Sequence, residues 1–559
     1  MDGSRTPPLA GRLSSSFGLG WQPQAMTLTV LASLPIVVAF FVPLLVRELA
    51  FALGWLLRQR TSGRRSQLVA LMSDDNKLFR QQNGSPELVS DANGQEARGT
   101  DSGKADGSDW DGIVGFFHPF CNAGGGGERV LWAAVRATQS RWPKAKCVVY
   151  TGDHDMTKEA IIQRVKSRFN IHLYPPTIIF LYLSKRQYVL PSTWPHLTLL
   201  GQSLGSMVLA WDAFSLLVPD IFVDTMGYAF ALGLCKLLFR HTSTGAYVHY
   251  PTISTDMLES LDPKSRVGSQ GVNAGQGTGA RGWAKKAYWR LFARLYSSVG
   301  SSVDVVMTNS TWTQAHMQSL WGPHRRKKDA IAVVYPPVAV REVEDAVELS
   351  EASEKKRERV LLYIAQFRPE KNHQLVLQSF AEFLKTGGTT ADAQLVLVGS
   401  VRDDQDSKKV YQLRLLANEL GVKDRVTFQL DASWPEILDW LGRASVGVNG
   451  MWNEHFGIGV VEYQAAGLIA VVHDSGGPKL DIVVDVDGQP TGFHATSAQE
   501  FAACYAKALS LADPLAVRMR ARASARRFTE EAFATLWLTH MSRLVALSRG
   551  RWAGSKRDA

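Results

Sequence analysis

Two cations follow a predicted strand in the second half of the chain. Arg368 and Lys371 lie three residues apart in the segment YIAQFRPEKNH, just before a predicted helix that begins near Asn372. Cations at the carboxyl end of a strand, beside a helix start, can bind a diphosphate and stabilise it as a leaving group. A solvated turn with ordinary surface charges explains the segment equally well, so both interpretations stay open here.

Two glutamates in the segment NEHFGIGVVEYQAAGL have a spacing that suits sugar recognition. Seven residues separate Glu454 from Glu462, and a glycine-containing turn lies between them. Such a turn exposes backbone amides to sugar hydroxyls, and a carboxylate at Glu454 balances charge that develops at an anomeric carbon. Glu462, inside a predicted helix, can accept both hydroxyls of a ribose. Glutamates at this distance are common by chance, and the glycine turn makes this pair more specific.

Four glycines follow the first predicted strand in the segment FHPFCNAGGGGERV. Gly124, Gly125, Gly126 and Gly127 open a predicted helix. Glycines let backbone amides approach a phosphate, and the helix N-terminus adds positive potential. The alternative is a flexible loop. The spacing differs from the GxGxxG of dinucleotide-binding proteins, so a nicotinamide site is weakly supported.

Two histidines lie at the ends of predicted strands. His249, in YVHYP, could donate a hydrogen bond to a sugar hydroxyl if its strand ends in a cleft. A lone histidine is more often a packed or surface residue, and His118 has the same ambiguity.

Three aspartate pairs have the spacing of a metal-binding DxD loop. Solvated acids and helix caps explain most such pairs, and the TGDHD pair is the best candidate because it follows a strand. The four cysteines have no paired spacing, which excludes a disulfide framework and a zinc site. We expect no metal and no cofactor, and a metal-dependent transferase stays open as the alternative. The three pairs are Asp153–Asp155, Asp404–Asp406 and Asp485–Asp487.

Short β-branched runs alternate with helical patterns through most of the chain. Near-continuous apolar strands indicate parallel sheets that are covered on both faces, so the fold class is α/β with two Rossmann-like, doubly wound domains facing a cleft. The predicted organisation is an N-terminal tail (1–25), a membrane anchor (26–57), a flexible linker (58–111), a first domain (112–340), a charged linker (341–359), a second domain (360–515), and C-terminal helices with a tail (516–559).

An apolar stretch near the N-terminus predicts a transmembrane helix. Residues 26–46 carry no charge, and about 20 such residues cross the hydrocarbon layer as a helix. A cleaved signal peptide is the alternative, but a second apolar run follows instead of a clear cleavage site. Arginines after the stretch outnumber those before it, which orients the rest of the chain toward the cytoplasm. A second apolar region, 198–239, is interpreted as buried core or as a surface that dips into a membrane.

Composition restricts the class of protein further. The 559 residues are 45% hydrophobic and 20% charged with a net charge of +10, which excludes a mainly disordered, collagenous or coiled-coil chain. The basic run RMRARASARRF predicts an exposed helix face that touches anionic lipid headgroups. No aromatic platform or recognition motif accompanies it, so nucleic acid is not an expected partner.

The motifs together resemble those of a known family. The segments FHPFCNAGGGGERVLWAA, NSTWTQAHMQSLW, AQFRPEKNHQLVLQSFA and GVVEYQAAGLIAVVHDSGGPKLDIV resemble the GDP-mannose-dependent α-1,2-mannosyltransferases of the dolichol pathway, which are retaining glycosyltransferases of GT-B fold. The resemblance covers roughly residues 112–528. It implies GDP-mannose as donor, a dolichyl-diphosphate oligosaccharide as acceptor, and the cytoplasmic face of the endoplasmic reticulum membrane as the place of action. The lipid bilayer and other transferases of the pathway are the further partners it suggests.

The resemblance also implies roles for individual residues. Glu454 contacts the donor sugar, Glu462 the ribose, and Arg368 with Lys371 the diphosphate. The glycines 124–127 lie by the phosphates and His249 by the sugar. The remaining implied contacts are the amides of Phe456, Gly457 and Ile458 to mannose hydroxyls, and a guanine site near Gly399 and Ser400.

Other functions stay open beside the one the resemblance implies. They are a metal-dependent or soluble-acceptor transferase of related fold, and a non-catalytic membrane-anchored scaffold. The resemblance further implies retention of anomeric configuration by front-face attack. The sequon at Asn309 is expected to lie unmodified inside the packed first domain.

Overall fold

The structure is a computed structural model. It describes residues 23–83, 109–262, 264–265, 278–325, 330–387 and 392–555, with the helical backbone alone for 23–40 and 552–555.

Parallel strands form one sheet in each half of the chain. The first sheet contains β1 (Ile113–Phe117), β2 (Lys146–Thr151), β3 (Ile178–Tyr182), β4 (Ile221–Asp224), β5 (Ser243–Val248), β6 (Val305–Thr308) and β7 (Ala332–Val333). The second contains β8 (Glu358–Ile364), β9 (Gln394–Gly399), β10 (Val426–Leu430), β11 (Ala444–Asn449), β12 (Ile469–His473) and β13 (Gly492–Ala495). The strand orders are β3-β2-β1-β4-β5-β6-β7 and β10-β9-β8-β11-β12-β13.

Helices precede, connect and follow these strands. The first half contains α1 (Pro23–Asn83), α2 (Gly126–Arg141), α3 (Lys158–Phe169), α4 (Thr198–Leu216), α5 (Ala229–Leu238), α6 (Thr255–Ser260), α7 (Gly279–Gly300) and α8 (Thr311–Trp321). The second half contains α9 (Val340–Ala346), α10 (Glu351–Glu354), α11 (His373–Lys385), α12 (Asp404–Glu419), α13 (Trp434–Arg443), α14 (Ile458–Ala466), α15 (Ala498–Leu509), α16 (Pro514–Ala525) and α17 (Glu530–Ser555).

The strand order confirms two doubly wound domains. In each sheet the order reverses beside the first strand of its domain, between β1 and β4 and between β8 and β11. Ligands of such sheets bind outside the carboxyl ends of the strands at this switch point. The four glycines follow β1, Lys371 follows β8 and Glu454 follows β11, so the topology gathers the predicted site segments there.

The flexible linker predicted for residues 58–111 is wrong over 58–83. These residues continue α1 along the first domain, because several of their polar side chains bond to carbonyl, carboxylate and hydroxyl groups of that domain. Arg65 pairs with Asp220 at 2.7 Å, and the Tyr174 hydroxyl donates to Asn76 Oδ1 at 2.5 Å. Residues 84–108 lie outside the described part of the chain.

Two helices and a strand replace the charged linker predicted for residues 341–359. Val340 and Val343 of α9 are buried in the core of the second domain, and β8 begins at Glu358. The apolar spacing of the valines decides the packing, while Arg341 between them is exposed and Glu342 is half-buried and accepts a hydrogen bond from the Trp434 indole at 2.7 Å.

The basic run 518–528 is not the exposed helix face that the sequence predicted. Arg518 is 2% exposed, and its guanidinium donates to the carbonyls of Ser445 and Gly467 at 2.8 Å each. Arg522 bonds to the carbonyls of Ala465 and Val347. These arginines satisfy backbone carbonyls of the second domain, since a buried carbonyl needs a donor.

The last helix crosses back to the first domain. Phe533, Trp537 and Leu544 of α17 are buried in the same cluster as Phe116 of β1. Near the end of α17, Arg551 bonds to both carboxylate oxygens of Asp304 at 2.7 and 3.0 Å. The first domain therefore contains residues from both ends of the chain.

The predicted anchor, 26–57, lies within α1, and the side chains of its first residues, up to 40, are outside the described part. In the residues that the structure describes, no helix has both the length and the apolar character for crossing a membrane.

Candidate active site

A salt bridge joins the two charged segments of the second domain. Lys371 ends a short 3₁₀ helix (Pro369–Lys371) after β8, and its backbone carbonyl accepts from the Tyr363 hydroxyl at 2.5 Å. Lys371 Nζ lies 2.5 Å from Glu454 Oε2, across 83 residues of sequence. The structure thus brings together a predicted diphosphate-binding cation and a predicted sugar-facing carboxylate.

The pair determines the charge state of Glu454. Burial alone would raise the pKa of this carboxyl, but the attraction and hydrogen bond of the Lys371 ammonium outweigh that effect and hold the pKa below its usual value. Glu454 is therefore ionised at neutral pH, and the site keeps a fixed pair of opposite charges.

A tight turn after Glu454 leads into α14. Gly457 has a φ of +104° and caps the helix, a conformation that favours glycine. The Phe456 side chain is buried against the rings of Tyr335 and Phe528. In the described part of the chain, the amides of Phe456, Gly457 and Ile458 donate to no protein acceptor. A helix N-terminus with unused amides can receive hydroxyl or phosphate oxygens.

A second pair of glycines, which sequence reasoning missed, supports this turn. Gly477 donates its amide to the Glu454 carbonyl at 2.8 Å. A Cβ at Gly476 would lie 2.3 Å from the same carbonyl oxygen, so a side chain there would displace the Glu454 backbone. The available signal was the segment DSGGPK, whose adjacent glycines permit such a close approach.

The glycine loop (residues 124–127) faces the second domain. A Cβ at Gly126 would lie 2.5 Å from Ile458 Cδ1, so this loop and the turn before α14 are in contact range. The Gly125 amide donates to Glu128 Oε2 at 2.6 Å, which fixes the loop on the first turn of α2. Arg168 of α3, which the sequence did not single out, lies beside Gly124.

His249 lies next to the glycine loop. Its Nε2 is 3.7 Å from the position of a Cβ at Gly127, and that nitrogen is buried without a hydrogen-bond partner among the described residues. Burial lowers the pKa of His249 to about 4, so the ring is neutral at physiological pH. His118 lies deeper, with Nδ1 2.7 Å from the Thr225 hydroxyl and Nε2 3.5 Å from Glu128. His249 thus has an unpartnered nitrogen beside the glycine loop, while His118 contacts Glu128 on the first turn of α2.

Glu462 has a different environment from Glu454. Within the described residues its carboxylate makes no hydrogen bond or ion pair, and burial raises its pKa to about 7. The positive charges of Arg129 and Arg168, from the first domain, oppose this increase. The unpaired carboxylate is available to ligand hydroxyls.

The other predicted residues are less tightly grouped. Arg368 is about 41% exposed, and the carboxylate it pairs with is Glu370 at 3.8 Å, not Glu454. Gly399 ends β9 where a Cβ would lie 2.3 Å from the Ala365 carbonyl oxygen, so the chain needs a glycine there. Ser400 follows it and is half-buried. Gly399 and Ser400 lie at the carboxyl edge of the second sheet, and among the described residues no hydrogen bond or ion pair between side chains joins them to Glu454.

Two of the three DxD pairs have one aspartate in an ion pair with an arginine. Asp153 forms an ion pair with Arg186, and Asp406 pairs with Arg402 at 3.0 Å. In the part of the chain covered by the structure, no three His, Cys, Asp or Glu residues cluster as a metal site would require.

Asn309 of the sequon is buried, and its Oδ1 accepts from the Thr313 hydroxyl at 2.7 Å, which confirms its packed position.

Comparison with known families matches both halves of the chain. Residues 111–321 match the family described as ALG11 mannosyltransferase N-terminus, and residues 346–526 match Glycosyl transferases group 1. A Neurospora crassa protein named GDP-Man:Man(3)GlcNAc(2)-PP-Dol alpha-1,2-mannosyltransferase is 68% identical over 526 residues, which are 91% of this chain and 95% of that protein. A Mus musculus protein of the same name is 45% identical over 437 residues, 78% of this chain and 87% of its own.

Solved structures show the same fold at low identity. Sucrose-phosphate synthase from Thermosynechococcus elongatus superposes with a TM-score of 0.55 at 14% identity, covering 78% of this chain and 99% of that enzyme. This likeness supports the two-domain GT-B arrangement and carries no information about the substrate.

Proposed function

The chain belongs to the family of GDP-Man:Man(3)GlcNAc(2)-PP-Dol alpha-1,2-mannosyltransferases, and we propose that it transfers mannose from GDP-mannose to a dolichyl-diphosphate-linked oligosaccharide. The transfer forms α-1,2 linkages during assembly of the N-glycan precursor. The observation that carries the proposal at the level of residues is the Lys371–Glu454 pair, held at 2.5 Å beside unused helix-terminal amides.

The donor diphosphate is assigned to cations and amides from both domains. Lys371 and the exposed Arg368 supply positive charge from the second domain, and the glycine loop at the N-terminus of α2 supplies amides from the first. Positive charge at this position stabilises the diphosphate as it leaves.

The sugar and ribose are assigned to the turn before α14 and to the two glutamates. The amides of Phe456, Gly457 and Ile458 donate to mannose hydroxyls, and neutral His249 bonds to the sugar through its unpartnered Nε2. Glu454 faces the charge that develops at the anomeric carbon, and Glu462 accepts the ribose hydroxyls. Guanine binds near Gly399 and Ser400.

The reaction we propose needs no metal. The bond between the anomeric carbon and the phosphate oxygen breaks while the acceptor hydroxyl attacks the same face, which retains the configuration. The acceptor proton passes to the departing diphosphate, and Lys371 with Arg368 balance the charge of GDP. Full activity in excess EDTA is expected, and loss of activity in EDTA would favour a metal-dependent transferase.

The acceptor is presented by a membrane, and we assign the first domain to face it. The exposed residues on one face of α4 are apolar. Leu204, Val208 and Trp211 are all exposed and lie about one helical turn apart. An exposed apolar stripe of this kind suits a lipid interface better than water.

Helix α7 lies beside this stripe and combines exposed apolar residues with cations. The Leu200 amide of α4 donates to the Tyr288 hydroxyl of α7 at 3.0 Å, so the two helices are neighbours. Exposed Trp283, Leu291 and Leu295 share α7 with five Lys and Arg residues and no acid. Anionic lipid headgroups would attract such a helix. We place the protein at the endoplasmic reticulum membrane with one N-terminal span and its catalytic part on the cytoplasmic face, where other transferases of the pathway are candidate partners.

Incubation with several nucleotide sugars tests the donor and acceptor together. The purified protein is mixed with a short-chain lipid-diphosphate oligosaccharide and one donor, either GDP-mannose, GDP-glucose or UDP-glucose. The masses of the products are then measured by mass spectrometry. We expect hexose addition from GDP-mannose alone, removable by an α-1,2-specific mannosidase. Transfer from a uridine donor, or no transfer at all, would contradict the assignment.

A further inference from the structure

Both neighbours of Glu454 touch the first domain. Asn453 Nδ2 donates to Asp256 Oδ2 at 2.6 Å. The ring of His455 stacks on Tyr250, with centroids 4.8 Å apart and planes 7° apart. Asp256 and Tyr250 both follow β5, so one segment of the first domain holds both flanks of a residue in the second.

The backbone conformation of Asn453 explains why a contact from the first domain is important for this segment. Asn453 has a φ of +52°, in the left-handed region that costs energy for residues other than glycine. Within the second domain, its amide donates to Ser475 Oγ at 2.8 Å. The side-chain bond to Asp256 adds a second anchor, so the direction in which the chain enters Glu454 depends on both domains.

The first-domain groups are themselves fixed by packing. His316 Nε2 lies 3.5 Å from Asp256, and His316 Nδ1 lies 2.8 Å from the Thr255 hydroxyl. The Trp312 ring packs 4.2 Å from the His316 ring and 5.2 Å from the His455 ring. Asp256 is therefore a rigid acceptor and not a mobile surface acid.

We propose that Asp256 and Tyr250 are positioning residues for the Lys371–Glu454 pair. When the domains are in contact, the two residues fix Asn453 and His455, and thereby hold the Glu454 carboxylate against Lys371 where the anomeric carbon reacts. The kinetic part of this inference rests on the proposed function. The structural part, restraint of one loop by the opposite domain, does not.

Amide hydrogen exchange of residues 450–459 tests the structural part without any turnover. In the full-length protein, Asp256→Ala and Tyr250→Ala are expected to speed exchange of this loop, while exchange in β11 stays unchanged. Asn453→Gly breaks the same hydrogen bond from the other side, and it tolerates the positive φ. Glu259→Gln, on the same helix as Asp256 but exposed, is the matched control and should exchange like the wild type.

Steady-state kinetics test the consequence for catalysis. Asp256→Ala and Tyr250→Ala should lower kcat by about 10-fold or more, with a smaller change in KM for GDP-mannose, because misplacement of a reacting group acts mainly on the transition state. Tyr250→Phe keeps the ring stack and should recover most of the loss. The double variant Asp256→Ala with Asn453→Gly should be no worse than the poorer single variant, since both remove one bond.

The outcomes separate the two proposals. A wild-type protein that transfers no mannose, with loop exchange still accelerated in the variants, removes the proposed function and keeps the restraint. Unchanged exchange in both alanine variants, kcat within about two-fold of wild type, or Tyr250→Phe as impaired as Tyr250→Ala would overturn the positioning role. Melting temperatures measured on every variant show whether a loss reflects unfolding.

Discussion

The first and second domains have sheets of one type, yet they contribute different chemistry to the space between them. The first domain contributes backbone amides and the neutral imidazole of His249, whose Nε2 has no partner in the described residues. The second contributes an ion pair, Lys371 and Glu454, already joined at 2.5 Å. The second domain thus holds its charged pair within itself, whereas the charges of the first domain near the site, Arg129 and Arg168, act on Glu462 of the other domain.

The outer surfaces of the two domains differ as well. In the first domain, α4 presents Leu204 and Val208 outward, one helical turn apart. In the second, α12 presents Tyr411 and Leu415 at the same spacing, but the helix also carries Asp404, Lys408 and Arg414. Similar topology thus permits an apolar exposed face on α4 and a mixed apolar and charged one on α12, because outward residues do not affect the core.

The largest effect is expected from removing the cation of the second domain. Lys371→Ala should lower kcat by on the order of 10²–10³-fold, because it removes a charge that stabilises the leaving group and leaves the Glu454 carboxylate without its partner. Turnover at saturating GDP-mannose measures it. Lys385→Ala, an exposed lysine of the same domain, serves as control. Near-normal turnover in Lys371→Ala would contradict the assignment of the main leaving-group charge to the second domain.

Loss of the ion pair that ties α17 to the first domain should cost stability. Arg551→Ala leaves the buried Asp304 with Lys236 as its remaining cation, and we expect a decrease of about 3 kcal/mol in the free energy of unfolding. Urea denaturation measures the change.

The same pair predicts a dependence on pH. Burial would raise the pKa of Asp304, but Arg551 and Lys236 lower it to about 2, so its contribution is present above pH 4 and disappears as pH falls toward 2. Arg341→Ala breaks an exposed pair with Glu531 and should cost less than about 1 kcal/mol. Equal costs for the two variants would mean that burial does not strengthen the Arg551–Asp304 pair.

Charged substitutions on α4 should lower activity toward a membrane-bound acceptor but not toward a soluble one. Leu204→Asp with Val208→Asp is expected to lower kcat/KM by about 10-fold for an acceptor embedded in a bilayer, since inserting two carboxylates at a lipid interface is unfavourable. Activity toward a short-chain acceptor in detergent should be retained. Tyr411→Asp with Leu415→Asp, at the same spacing on the second domain, should affect neither assay. Similar losses in both double variants would end the contrast between the surfaces.

The smallest effect is expected at Glu462. Burial raises its pKa to about 7, so its carboxylate form increases as pH rises from 6 to 8 and accepts ribose hydroxyls better. GDP affinity measured by calorimetry should therefore improve by roughly 3-fold to 10-fold over that range. Glu462→Gln should make the affinity weaker and independent of pH in this interval. A wild-type affinity that falls with rising pH would contradict the ribose assignment.

The amino-acid sequence by itself determined the sheets and the segments of the site. Buried β-branched strands and the glycines and charges that follow them are local patterns, so two parallel sheets and the positions of Lys371, Glu454 and the glycine loop were predictable. The same local reasoning failed where a charged residue has a buried partner far away in the chain. The arginines of α16 have the sequence pattern of a solvated helix, yet they bond to carbonyls of the second domain.

Only the tertiary structure decided which distant groups meet. It joined Lys371 to Glu454 and Asn453 to Asp256, brought Gly126 into range of Ile458, returned α17 to the first domain, and gave Glu462 no partner within the described residues. The physical reason is that hydrophobic periodicity fixes local elements, whereas ion pairs and hydrogen bonds depend on side chains that the domain packing brings together. A glutamate has the same sequence pattern whether a lysine neutralises it or burial raises its pKa.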